Sequence, residues 1–236
     1  MGRAFEYRKA RKFKRWDAMA KAFTRIGRDI AISVKESGPD PTTNPRLRIA
    51  IQNAKGVNMP KDRVEAAIKR ASSKEEKDFQ ELVYEGYGPH GVPILIECAT
   101  DNPVRTVANV RMYFTRAGGS LGKTGSLDFI FDRKGVFQLN PEGLNPEELE
   151  LELIDHGAEE IFKDEEGRII VYTSFTDFGQ MQKALEERKI NIMSTKLERI
   201  PKSYTEITEV QEEDIFNLIE KIEEDDDVQA VYTNLK

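Results

Sequence analysis

A change in hydrophobic period near residue 72 divides this chain into two kinds of structure. Before it, Trp16, Met19, Ala20, Phe23, Ile26, Ile30 and Val34 recur at three- and four-residue steps, which puts them on one face of a helix. This spacing predicts a helix over residues 14–36. A break follows at Ser37, Gly38, Pro39, Asp40 and Pro41. Asn44 and Pro45 then stand where an N-cap and a first helical residue belong, ahead of Leu47, Ala50, Ile51 and Ala54. The second helix stops near Gly56, and Asn58, Met59 and Pro60 restart the pattern for Val64, Ala67, Ile68 and Ala71. Three helices joined by short loops make a small bundle. Residues 72–78, polar and without a period, read as a linker.

Beyond the linker, strands alternate with helices. Residues 82–87 and 92–99 read as strands, and Asp101, Asn102 and Pro103 open a helix that Gly118 and Gly119 close. Leu127, Phe129 and Phe131 alternate, which predicts a strand over 126–131. From 135 to 200 the order is strand, helix, strand, strand, helix, strand, the ferredoxin-like βαββαβ unit. The tail adds a strand near 204–208, a helix carrying Ile215, Leu218, Ile219 and Ile222, and a last strand, VQAVYT. Joined to the strand, helix and strand of 92–131, the tail completes a second such unit. The expected fold is therefore α+β, with a three-helix N-terminal domain and two ferredoxin-like domains, the middle one inserted into the other. The boundaries fall at 1–78, at 79–132 plus 201–236, and at 133–200.

Charge is distributed as unevenly as period. The 236 residues carry a net charge of −6, yet residues 1–80 hold 20 Lys and Arg against 10 Asp and Glu, leaving 16 against 32 for the rest. A basic third joined to an acidic remainder is the footprint of a polyanion-binding module, which the whole-chain charge conceals. On a helical wheel Lys14, Lys21, Arg25, Arg28 and Lys35 fall within roughly 80° of one another, opposite the apolar stripe. Arg8, Lys9, Arg11, Lys12 and Arg15 extend the field upstream, with Phe5, Tyr7 and Phe13 interleaved as candidate base-stacking residues; Trp16 and Phe23 share the core face. Helices two and three add Arg46, Arg48, Lys55, Lys61, Arg63, Lys69 and Arg70. A merely solvated face mixes both signs, but residues 1–28 contain ten basic residues against only Glu6 and Asp17. Clustered cations gain affinity for phosphates by releasing condensed counterions. A mitochondrial transit peptide would also be basic and amphipathic, although here the basic stretch is continuous with the first helix. The polyanion reading requires these cations to stand together, unneutralised by carboxylates of the trailing domains. Reversing Lys21, Arg25 and Arg28 together is then expected to weaken binding while the fold survives.

The candidate chemical motifs do not support catalysis. Gly86, Gly88 and Gly91 match GxGxxG, but a strand follows them where a dinucleotide site needs a helix N-terminus. Residues 117–124, AGGSLGKT, resemble a relaxed phosphate loop in reversed context, helix before and strand after, although Lys123 is placed to touch a nucleic-acid backbone. His90 sits in the glycine loop and His156 in a last helical turn, both with structural explanations. The single cysteine, Cys98, lies in an apolar strand, and no His or Cys cluster has metal-ligand spacing. The acidic run 209–227 reads as a solvated helix face. No apolar run is long enough to span a membrane, and no h-region follows the basic N-terminus. The expectation is a non-enzymatic, cytoplasmic protein without a cofactor or a metal.

Three stretches carry a family resemblance: NPRLRIAIQNAKGVNMPKDRVEAAIKRAS (44–72), YEGYGPHGVPILIECATDNPVRTVANVR (84–111) and GGSLGKTGSLDFIFDRKGVF (118–137). By the combination of NMPKD, YEGYGP, TDN with RT, and GGSLG before GS, the chain is similar over essentially its full length to the YebC/PmpR family, whose mitochondrial relatives are translational activators of cytochrome c oxidase. The resemblance implies a helical N-terminal domain, two α+β domains, and a cytoplasmic regulator of transcription that binds DNA. It implies as well a ribosome-associated factor that assists translation through proline-rich stretches. The opening GRAFEYRKARKFKRW departs from the family's usual GHSKW and NIK elements, so base-specific or rRNA-specific contacts of that opening are not implied here. The expected partners are nucleic acid, either DNA or rRNA and tRNA on the ribosome, and ribosomal proteins through the acidic domains. No membrane partner is expected, and the chain is expected to act as a monomer. The expected contact residues are Arg8, Lys9, Arg11, Lys12, Lys14, Arg15, Lys21, Arg25, Arg28, Arg46, Arg48, Lys55 and Lys61.

Overall fold

A computed structural model describes the backbone of residues 3–73 and 78–236 and the side chains of residues 19–73 and 78–236. Helix α1 runs Arg3–Ser37, longer at its start than the apolar stripe predicts, and is followed by α2 (Pro45–Gly56) and α3 (Lys61–Ala71). Ile26, Ile30, Ala31 and Val34 pack against Leu47, Ala50, Ala54, Val64 and Ala71 in one core. Asn44 joins two of these helices. Its Oδ1 accepts from the Leu47 N–H at 3.0 Å, capping α2, while its Nδ2 donates to the Ser33 and Gly38 carbonyls at 2.7 and 2.8 Å. One side chain thereby satisfies backbone groups at the end of one helix and the start of the next.

The chain continues through β1 (Gln80–Tyr87), β2 (Pro93–Thr100), α4 (Pro103–Arg116) and the two-residue β3 (Ser120–Leu121). Then come β4 (Phe131–Leu139), α5 (Pro146–Leu153), β5 (Ala158–Lys163), β6 (Ile169–Ser174), α6 (Phe178–Glu187) and β7 (Ile192–Pro201), before α7 (Glu209–Glu223) and β8 (Val228–Thr233). These strands form two antiparallel sheets of four, in the orders β3-β1-β2-β8 and β5-β6-β4-β7. The second is the expected ferredoxin-like unit, with Leu149, Leu153, Met181 and Leu185 of its helices packed on Phe137, Leu139, Ile169 and Val171. It lies in the chain between β3 and α7 of the first sheet, so it is an insertion.

The first sheet has the same layout, with α4 and α7 packed on Ile94, Ile96 and Cys98, but a permuted chain order. Beside β2 lies β1, not a strand at 204–208; that segment makes only a single parallel bridge, Thr205 to Leu235. Residues 126–130 form a turn instead of the expected strand. The cause is Glu85, whose residue is only 2% exposed. Its carboxylate accepts from the N–H groups of Gly125 and Leu127 at 2.8 and 2.6 Å and from the Ser126 hydroxyl at 3.3 Å. Amides bound to a carboxylate are not available to a sheet ladder.

Helix α2 docks on β7, the free edge of the inserted sheet. Asn53 pairs with the Thr195 backbone as a neighbouring strand would: Nδ2 donates to the carbonyl at 2.8 Å and Oδ1 accepts from the N–H at 2.8 Å. Gln52 donates to the Ile192 carbonyl at 3.1 Å. Gly56 permits this approach, because a Cβ there would overlap the Met193 carbonyl. The arrangement covers an edge that would otherwise present unpaired backbone groups.

Candidate nucleic-acid interface

The thirteen candidate cations fall into three groups. Arg8, Lys9, Arg11, Lys12, Lys14 and Arg15 lie outside the described side chains, as do Phe5, Tyr7, Phe13 and Trp16. Arg25, Arg28, Arg46 and Arg48 are each turned to a carboxylate beyond the bundle. Lys21, Lys55 and Lys61 are not.

Arg28 is the most committed of the second group. Its Nη1 donates to the Ala99 carbonyl and, at 3.0 Å, to Asp227 Oδ1, with only 14% of its side chain exposed. Asp227 also accepts from Arg105 Nη2 at 2.7 Å, from Thr106 Oγ1 at 2.8 Å and from Thr100 Oγ1 at 3.1 Å. Burial alone would raise the Asp227 pKa. The hydrogen bonds from Arg105, Thr106, Thr100 and Arg28 outweigh it and hold the carboxyl below its ordinary value. Arg25 pairs with Glu223 at 3.6 Å, Arg46 with Glu36 at 2.8 Å and Glu81 at 2.5 Å, and Arg48 with Glu186 at 3.4 Å. The expectation of unneutralised cations therefore fails at these four positions. They fasten α1 and α2 to β1, α6, α7 and the turn before β8, and the bundle's charge is partly spent inside the molecule.

The third group retains its charge for solvent. Lys21 is half-buried and Lys55 exposed, and neither makes an ion pair among the described residues; Lys61, 91% exposed, approaches only Glu65 one turn away, a pair of little strength. Lys69 and Arg70 of α3 are exposed and unpaired in the same sense. The Arg63 guanidinium lies 5.6 Å from the Phe23 ring centre, so Phe23 is occupied within the bundle, in line with its place on the core face. A groove of about 570 Å³ opens between α2 and β7, with Arg48, Lys55, Ile51 and Met193 among its lining residues.

Carboxylates that read as solvated turn out to be anchors. Asp225 accepts from Asn109 at 2.9 Å and from the Tyr113 hydroxyl at 3.1 Å, beside the Asp227 network. The only local signal was their place between a helix and a strand, where a backbone reversal needs side-chain acceptors; the identity of the donors depended on distant chain. The residues just after the phosphate-loop look-alike, Gly125 to Leu127, wrap an anion of the chain itself, the Glu85 carboxylate. In the glycine loop, a Cβ on Gly88 would come within 2.9 Å of Ile94, and His90 Nε2 lies 2.8 Å from Asp214. Close packing at Gly86 and Gly88 and a φ of 76° at Gly91 explain that motif. Among the described residues no cluster of His, Cys, Asp and Glu is placed to hold a metal ion, and no helix is long and apolar enough to cross a membrane.

Fold and site together define a two-sheet α+β protein carrying a basic helical bundle clamped to both sheet-bearing domains by arginine–carboxylate pairs. The chain belongs to the TACO1/YebC family: residues 3–74 match its N-terminal domain and residues 79–235 its second and third domains. It is 61% identical over 235 residues to a protein of Cytophaga hutchinsonii and 57% identical over 236 residues to one of Flavobacterium johnsoniae, both named probable transcriptional regulatory protein. The matches cover all of this chain and 98% and 99% of those relatives. A crystal structure of the conserved hypothetical protein Aq1575 from Aquifex aeolicus superposes with a TM-score of 0.80 at 36% identity, covering 92% of this chain and 90% of that one. The relatives' shared name is that of a regulator, not of an enzyme.

Proposed function

We propose that this protein is a non-enzymatic, cytoplasmic, DNA-binding transcriptional regulator of the YebC type. Its bundle meets the phosphate backbone through the cations that the fold leaves free: Lys21, Lys55, Lys61, Lys69 and Arg70, continued by the basic stretch from Arg8 to Arg15. The supporting observation is the division of labour among the basic residues. Four arginines are bound to carboxylates of the body, and Lys35 to Asp78, while Lys21 and Lys55 of the same helices make no ion pair among the described residues and can release counterions from a polyanion. Phosphate contacts of this kind position a protein without reading sequence.

The second reading, a ribosome-bound translation factor relieving stalls at proline-rich stretches, draws on the acidic face of α7. On α7, Phe216 and Val210 are 57% and 73% exposed beside Glu209, Glu213 and Glu220, a surface complementary to basic ribosomal proteins. Cosedimentation with ribosomes, run beside footprinting on promoter DNA, separates the two. Protection of promoter DNA without cosedimentation supports the first, and salt-sensitive cosedimentation without protection supports the second. Absence of both removes nucleic acid from the mechanism.

A further inference from the structure

Beyond residue 80 this chain is strongly acidic, and most of its basic side chains hold a carboxylate; Lys134, Arg168, Arg199 and Lys202 are examples. Seven make no ion pair among the described residues; four of these, Arg133, Lys163, Lys189 and Lys196, belong to the insert, and the other three are Arg111, Arg116 and Lys123. All three are exposed. They gather at one corner of the first sheet. Arg111 and Arg116 lie on the solvent side of the last two turns of α4, and Lys123 stands two residues past β3, which packs beneath that helix end. The turn between them is tight, with the Gly119 N–H donating to the Phe114 carbonyl at 2.9 Å.

The loop carrying Lys123 is held from below at both ends. The Gly122 N–H donates to the Glu85 carbonyl at 2.7 Å, and Gly125 and Leu127 bind the Glu85 carboxylate. These bonds seat Leu127, wholly buried beside Leu95 and Phe131, and the same anchors fix the exposed Lys123 and Thr124 that precede it. Gly118, at φ 78° with open space around it, leaves the backbone accessible, and the exposed Ser120 and Thr124 hydroxyls add donors of the kind that bind phosphate oxygens.

We infer that this α4–β3 corner is a second contact for the phosphate backbone of a nucleic acid, with Arg111, Arg116 and Lys123 as its cations. The inference rests on the nucleic-acid reading above and adds a site outside the bundle. Helix α4 has 14 residues, so the corner lies about 20 Å from the Arg28–Asp227 network at the helix's other end.

The test uses the full chain and two fluorescein-labelled probes, a DNA duplex and an RNA hairpin of the same stem sequence, titrated by anisotropy at several salt concentrations. The triple variant Arg111→Gln, Arg116→Gln, Lys123→Gln should reduce the slope of log K against log salt by about two to three on whichever probe the wild type prefers, and Lys123→Gln alone by about one. Circular dichroism should not change, since all three side chains are exposed. A parallel variant, Lys55→Gln, Lys69→Gln, Arg70→Gln, reports on the bundle. If the bundle variant lowers the slope and the corner variant leaves it at the wild-type value, the inference is overturned and the functional reading stands. A fall in the corner variant alone supports the corner and removes the bundle. Should the wild type bind neither probe in a salt-dependent way, both fall together.

Discussion

Arg28 of α1 and Asp227, just ahead of β8, stand 199 residues apart in sequence and meet at 3.0 Å, with 14% and 3% of their side chains exposed. Asp227 gathers Arg28, Arg105, Thr100 and Thr106, so it joins the bundle, the start of α4 and the last strand at one point. Asp227→Ala should cost about 3–5 kcal/mol in urea denaturation, because two arginines would be left without their shared counterion. A loss under about 1 kcal/mol would show that the network contributes little. The expectation that reversing Lys21, Arg25 and Arg28 together spares the fold is withdrawn for Arg28: Arg28→Glu would set a carboxylate against Asp227. Lys21→Glu remains a clean test of binding.

Asp29 titrates in the opposite sense to Asp227. Burial pushes its carboxyl up to about 6, with Arg46 and Lys196 lowering it and Glu81 and Glu97 raising it. A carboxyl raised above its unfolded value of 3.8 contributes stability that is fully present below that value and is lost as pH rises through about 6. At neutral pH the charged form therefore weighs against the fold. Asp29→Asn should stabilise the protein by about 1–2 kcal/mol near pH 7, and the gain should vanish near about pH 4. A gain that does not depend on pH would refute this.

Asn53 closes the edge of β7. Asn53→Ala removes both bonds to the Thr195 backbone and leaves a donor and an acceptor unpaired, at a cost of about 1–3 kcal/mol. Hydrogen exchange at the Thr195 amide should quicken markedly while the Val171 amide, within the sheet, keeps its protection. Equal protection of Thr195 in wild type and variant would mean that the edge does not need the helix.

Cys98 is buried in the core of the first sheet, and burial, followed by Asp225 and Asp227, pushes its thiol up to about 12. Thiol reagents act on the thiolate, so the folded protein should resist Ellman's reagent at neutral pH and release one equivalent only in denaturant. Prompt reaction of the native protein would contradict the packing.

The resemblance, the three helices, the βαββαβ order of the insert and its place in the chain were all legible in the sequence. Local chemistry carries them: Asn44, Asn102 and Asn145 each stand before a proline and cap the following helix in the structure. The alternation of Leu127, Phe129 and Phe131 predicts a strand over 126–131, yet the Gly125 and Leu127 amides are held by Glu85, some forty residues earlier, and the strand begins only at Phe131. Likewise Arg25, Arg28, Arg46 and Arg48 share a composition with Lys21 and Lys55 but not a fate.

The sequence by itself determined most of the elements, the caps that open α2, α4 and α5, and the excess of positive charge in the first third, since each depends on residues within a turn or two of one another. Only the tertiary structure decided which of those charges face water, which strand lies beside β2, and which anion fills the 122–127 loop. These are pairings between groups up to 199 residues apart, and their strength depends on distance and burial that no local period encodes.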